Sequence, residues 1–285
     1  MSRLLSGWTL VRIVTLLVYI FLFVPIAVVV LLSFAESRFG SFPIEHFSLR
    51  WFVELAHNEA IVRAFQTSML LGALTSVIAT AIGIPAALAI VRYDFPGKNL
   101  VTTALIAPIL VPEVVLGVAL LLFLRWLAMP RSFALLMMGH VIITLPFVLL
   151  VVQARLAGIR PEYEEAARSL GANRLQTFLE VTLPLLMPAV LAGMLFAFTI
   201  SFDDVTATLF WKSAGTETVP TQIFAMLRNS ISPEINALGT VMIVITVALP
   251  LAAGMVARRF ARSGAERTAP AARAEQYGWE STKEA

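Results

Sequence analysis

From Ile13 to Leu32 the chain runs twenty residues without a charge. At about 1.5 Å of rise per residue a helix of that length covers about 30 Å, the thickness of a bilayer's hydrocarbon core. Several further apolar runs of similar length follow. No soluble core absorbs so many, so the chain is an integral membrane protein. The runs are continuous rather than alternating, which excludes the strands of an outer-membrane barrel. The expected fold is therefore all-α, because a helix satisfies its own backbone hydrogen bonds in lipid. Composition agrees: 59% of residues are hydrophobic and 14% charged, against about 25% charged in an average soluble domain.

Arg3 and Arg12 precede the first run, and Ser33-Phe34-Ala35 resembles a signal-peptide cleavage site. The run exceeds the roughly 7–15 residues of a signal core, so it reads as a retained first span. Six segments emerge at about 11–34, 66–91, 100–128, 132–155, 185–208 and 236–257. Pro and Gly recur inside them, which membrane helices tolerate. Counting basic residues sets the orientation. With the N-terminus inside, fourteen of the 21 Lys and Arg fall in inner segments and seven in outer ones, so both termini are expected in the cytoplasm. The net charge of +3 then reads as loop anchoring, not as a nucleic-acid surface. Outside, the aromatic-rich stretch 35–65 is expected along the membrane surface, and 221–229 as a short amphipathic helix. Residues 1–262 read as one transmembrane domain and 263–285 as a disordered polar tail.

The exception to this apolar character is the loop 156–184, where four basic and four acidic residues lie between Arg155 and Glu180. Pro161 suits a first helical turn, and Glu162, Glu164 and Glu165 favour the positive end of the helix dipole. Ala166 and Ala167 are good helix formers without bulk. Gly171 permits a turn, residues 174–181 form a second short helix, and Pro184 marks entry to the fifth span. From chemistry alone, a solvated charged loop and a docking element remain open.

Glu165-Ala166-Ala167, then Gly171, then Val181-x-Leu183-Pro184 is similar to the EAA motif of ATP-binding-cassette (ABC) importer permeases, with Val181 in place of the usual Ile as the departure. The resemblance implies a six-transmembrane-helix type I ABC importer permease fold. It also implies that the loop is a coupling helix seated in a separate ATPase. Glu164, Glu165, Ala166, Ala167, Gly171, Leu183 and Pro184 would be the coupling residues: Glu165 the polar contact, the alanines the close-packing face, Gly171 the turn. Implied partners are two ATPase subunits, a second homologous permease and a periplasmic solute-binding protein, in a bacterial inner membrane. This chain would bind no cofactor, ATP and Mg being used by the partner. It lacks a phosphate-binding Gly-rich loop, since Gly97-Lys98 has neither the earlier Gly nor the following Ser or Thr.

Ser201-Phe202-Asp203-Asp204, Val219-Pro220 and Ser232 to Leu238 resemble the spermidine/putrescine permease group, which implies a polyamine cargo. Related machines carry opines, amino acid derivatives or aminophosphonates. The residues give an independent argument. Glu113 falls inside the third apolar segment, and an intramembrane carboxylate is a functional hypothesis by default. Asp203 and Asp204 sit at the outer end of the fifth. Both places would attract a cationic amine. Structural roles compete: Glu113 as a helix cap or an ion-pair partner of the second permease, the aspartates as caps where the helix ends.

Other chemistries fall away. The chain has no Cys, and its three His, with His140 alone in the fourth span, lack metal-ligand spacing. A membrane-embedded enzyme using Asp203 and Asp204 is disfavoured, because neighbouring helical residues point about 100° apart.

Overall fold

The computed structural model describes residues 7–37, 43–229, 233–252 and 254–255. The expected tail 263–285 and the last residues of the sixth segment lie outside the described residues. Among those described, regular structure is helical, apart from an isolated bridge between Ala35 and Phe47. In chain order the helices are α1 Gly7–Leu32, α2 Arg50–His57, α3 Glu59–Arg92, α4 Lys98–Leu110, α5 Glu113–Trp126 and α6 Phe133–Ala157. Then come α7 Glu162–Ser169, α8 Arg174–Thr177, a π-helical turn Phe178–Thr182, α9 Leu183–Asp203, α10 Thr206–Trp211 and α11 Val219–Asn229, and finally α12 Pro233–Ala252. Among the described residues, five helices are long and apolar enough to cross a membrane, with the pair α4–α5 as a sixth, broken span.

The chain divides into two compact units. The first holds the described residues of 1–70 and 212–245. Its core gathers Trp51 and Leu55 of α2, Ile61 of α3, Val219 of α11, and Ala237 and Leu238 of α12. The Trp51 indole donates to the Ala35 carbonyl at 2.7 Å, tying α2 to the segment after α1. Ser68 Oγ accepts from the Val219 amide at 2.8 Å, satisfying one of the unpaired donors at the start of α11. The most apolar stretch of α1 is unburied along its length. A helix that is hydrophobic all round belongs against lipid.

The second unit holds residues 71–211 and the described residues from 246 onward. Its spine is α6 packed against α9, with Val148, Leu149, Val152 and Leu156 meeting Leu186, Val190 and Ala197. Gly83 lets α3 approach α6 as closely: a Cβ there would lie 2.8 Å from Val148 Cγ1, inside van der Waals contact. Trp211 fills the space over Gly139 so tightly that a Cβ would meet its ring at 2.1 Å.

The third apolar segment differs from a single expected span. It is built as α4 and α5, crossing at 112°. Val111 and Pro112 take extended conformations, at φ −92°, ψ 129° and φ −53°, ψ 132°. Pro112 has no N–H for the helical ladder and forces its predecessor out of the α region. The fifth helix likewise ends earlier than expected, at Asp203, and the chain turns into α10. The expected amphipathic helix at 221–229 is present as α11.

Candidate functional site

Two polar regions stand out in the second unit. The first is the loop between α6 and α9. Helix α7 opens on three acidic residues, Glu162, Glu164 and Glu165, where its exposed N–H groups favour negative charge. Glu162 is held below the ordinary carboxylate value of 4.5, chiefly by its own backbone amide and then by Arg160. The helix closes in a Schellman arrangement: the Gly171 amide donates to the Arg168 carbonyl at 3.0 Å and the Ala172 amide to Ala167 at 3.1 Å. This motif needs a left-handed residue just past the helix, and Gly171 supplies it at φ +94°. The fixed separation of Ala167 from Gly171 is thus the separation of a C-terminal carbonyl from its closing glycine.

Asn173 starts α8 with a capping box, exchanging hydrogen bonds of 2.9 Å with Gln176 in both directions. The π-helical turn Phe178–Thr182 follows. Pro184, two residues on, has no N–H to offer the Glu180 carbonyl, so the regular ladder cannot run through this point. Leu183 packs onto the α6–α9 core, while Pro184 is exposed.

The acidic residues of α7 part company. Glu164 turns inward: Oε1 accepts from Arg92 Nε at 3.1 Å and from Thr182 Oγ1 at 3.1 Å, and Arg92 Nη2 reaches the Ile159 carbonyl at 2.9 Å. Glu165 and Ala166 are exposed and Ala167 half-buried. Around them Tyr163, Leu170, Leu175 and Leu179 are exposed, Leu170 to 90%. A charged loop that displays large apolar side chains has a surface suited to a partner.

The second region lies where α5, α6, α9 and α10 converge. His140 of α6 is fully buried. Its Nδ1 is 2.8 Å from Ser201 Oγ and its Nε2 is 3.0 Å from Thr208 Oγ1. The single Thr208 hydroxyl proton goes to Asp204 Oδ2 at 2.7 Å. Thr208 must therefore accept from Nε2–H, which makes Nδ1 the acceptor and Ser201 its donor. A one-way chain results: Ser201 to His140 to Thr208 to Asp204. Asp204, itself buried, also accepts from the backbone amides of Ala207 and Thr208 at 3.2 and 2.7 Å, and so caps α10. Trp211, packed edge-on against His140, donates to the Gly117 carbonyl of α5 at 2.9 Å.

Glu113 is the first residue of α5, at the break in the third segment. Its carboxyl is exposed and close enough to that of Asp204 for the two to interact directly. Asp203 points elsewhere: it is exposed and accepts from Thr246 Oγ1 of α12 at 3.3 Å. The structure thus brings Glu113 and Asp204 together and separates Asp203 from them. Sequence reasoning set His140 aside as solitary. Its partners lie 61 and 68 positions away, and no local spacing announces them. Neither Arg92 nor Thr182 carried a signal for its bond to Glu164. Among the described residues, no cluster of His, Asp and Glu could hold a metal.

Comparison with known proteins bears on both regions. The family of binding-protein-dependent transport system inner membrane components matches residues 79–263, which take in the loop and the buried cluster. The spermidine/putrescine transport system permease protein PotC of Escherichia coli K12 is 34% identical over 241 residues, 85% of this chain and 91% of its own length. The putrescine transport system permease protein PotI of the same strain is 34% identical over 245 residues, 84% of this chain and 86% of its own. Among solved structures, a bacterial ABC transporter that imports the acidic polysaccharide alginate matches with a TM-score of 0.70 at 20% identity. That match covers 88% of this chain and 96% of the other. The same kind of transporter has been solved with an alginate-bound periplasmic protein, matching with a TM-score of 0.69.

Proposed function

From the premise that this chain belongs to the binding-protein-dependent transport system inner membrane components, the permeases of ABC importers, we propose that it moves polyamines inward by alternating access. The chain is a transport subunit and not an enzyme. Residues 156–184 face the cytoplasm, with both termini, and α7 docks into one of two ATPase subunits that use ATP and Mg. A second homologous permease completes the pore and a periplasmic binding protein delivers the solute. ATP-driven closure of the ATPases tilts the two permeases between inward- and outward-facing states.

The observation that carries the substrate reading is the meeting of Glu113 with Asp204 at the broken span. Two carboxyl groups this close repel each other when both are ionised, and an ammonium group placed beside them relieves that repulsion. Glu113 is the exposed member, so it is the contact; Asp204 is committed to α10 and sets the field behind it. Asp203, exposed at the end of α9, offers a second negative point for the far end of a diamine. The similarity to PotC and PotI supports the same cargo.

The test is ATP-dependent uptake of labelled putrescine or spermidine by the reconstituted transporter. Glu113→Gln should lower uptake by about tenfold or more, the cost of losing one charge-assisted contact in a shielded pathway, and Asp203→Asn by less. Unchanged uptake in both variants would remove the electrostatic argument. Uptake of a neutral or anionic organic solute in place of the amines would leave the machine and change its cargo. For the coupling half, Glu165→Lys should abolish co-purification of the ATPase without altering the chain's own stability.

A further inference from the structure

We propose that Glu164 is the pin through which α7 moves the spans, so that the acidic pair at the head of this helix divides its labour: Glu165 outward to the ATPase, Glu164 inward to the bundle. The inference rests on the coupling role assigned to the loop above. Its basis is one carboxylate of α7 bonded by two other chain segments. Oε1 of Glu164 takes a hydrogen bond from Arg92, the last residue of α3, and another from Thr182, the last residue of the π-helical turn leading into α9, each at 3.1 Å. Arg92 continues the link to the Ile159 carbonyl, just past α6, at 2.9 Å. Both side chains of the ion pair are only 13% exposed, so water screens it little.

A cavity of about 310 Å³ lies beside this connection, lined by Arg92, Glu164 and Thr182 together with Tyr93, Arg168 and Arg174. With open space on that side, the polar contacts carry the link from α7 to the end of α3, while toward α9 they add to the packing of α7 on the turn Phe178–Thr182. The π-helical turn adds the second half of the device. Such turns are rare inside α-helices and frequent at functional sites, and Thr182 holds this one against Glu164. A push on α7 is therefore delivered to the ends of α3 and α9 together.

Reconstituted complete transporter, measured for solute uptake and ATP hydrolysis in the same vesicles, tests this. Arg92→Gln cuts the link to α3, and Thr182→Val cuts the link to α9 without leaving a charge unpaired. In each, uptake per ATP hydrolysed should fall, by about tenfold for Arg92→Gln, within the usual range of coupling between sites. Arg92→Lys should lie between, since one ammonium cannot serve both Glu164 and Ile159 as the guanidinium fork does. An unchanged ratio of uptake to hydrolysis in Arg92→Gln and Thr182→Val overturns the proposal, as does loss of the ATPase from the purified complex in both variants, which would make the pin a folding element. If the unaltered chain itself fails to retain an ATPase, the coupling reading falls, a result distinct from either.

Discussion

The loop at 156–184 and the buried cluster around His140 are both polar sites in an apolar protein, and they are built in opposite ways. The loop is local. A Schellman closure at Gly171, a capping box at Asn173 and a proline at 184 each act within a few residues. The cluster is assembled from Glu113, His140, Ser201, Asp204 and Thr208, and Trp211 reaches back 94 positions to Gly117. A site made of neighbours can be altered piece by piece and refold around the change. A site made of distant parts, each hydrogen bond oriented by the next, fails as a unit.

The largest expected effect tests that contrast at its buried end. His140→Leu removes the donor to Thr208 and the acceptor of Ser201, leaving buried polar groups unpaired at about 1–3 kcal/mol each. Thermal unfolding in detergent should shift down accordingly. His140→Gln, which keeps an N–H near the Nε2 position, should recover part of the loss; equal losses would show that the direction of the chain does not matter. At the loop the corresponding change is Gly171→Val. A β-branched residue at φ +94° costs at least about 1–2 kcal/mol locally, yet the spans should keep their melting temperature while co-purification of the ATPase drops. Loss of the whole fold would break the comparison. The smallest effect belongs to Glu162. Its carboxyl titrates below 4.5 in the folded chain, so its contribution is present at neutral pH and is lost only as pH falls through that lowered value. Because the group is exposed to water, Glu162→Gln should leave stability above pH 5 almost unmoved, as chemical denaturation at two pH values would show.

The same contrast explains what could be read from residues alone. The spans were legible because hydrophobic length is a one-dimensional property, and the loop 156–184 because its closing residues stand at fixed short separations. The splitting of Glu164 from Glu165 was not legible: both favour a helix start equally, and only the position of Arg92, 72 residues earlier, turns one of them inward. Glu113 and Asp204 were each suspect as intramembrane charges. Their meeting, and the exclusion of Asp203 from it, depends on the helix ending one residue before Asp204. His140 was invisible because a lone histidine in an apolar helix has no partner until the fold supplies one.

The break between α4 and α5 has a consequence for how the protein is made. At thirteen and fourteen residues, each half rises only about 20 Å, short of the roughly 30 Å that a helix must cover to cross the bilayer alone. During synthesis neither half can leave the insertion machinery for lipid as an independent span. The two must wait and enter together, with the extended backbone at Val111 and Pro112 between them. The residue pair at the break thereby also fixes an order of assembly: α4 and α5 enter the bilayer as one unit.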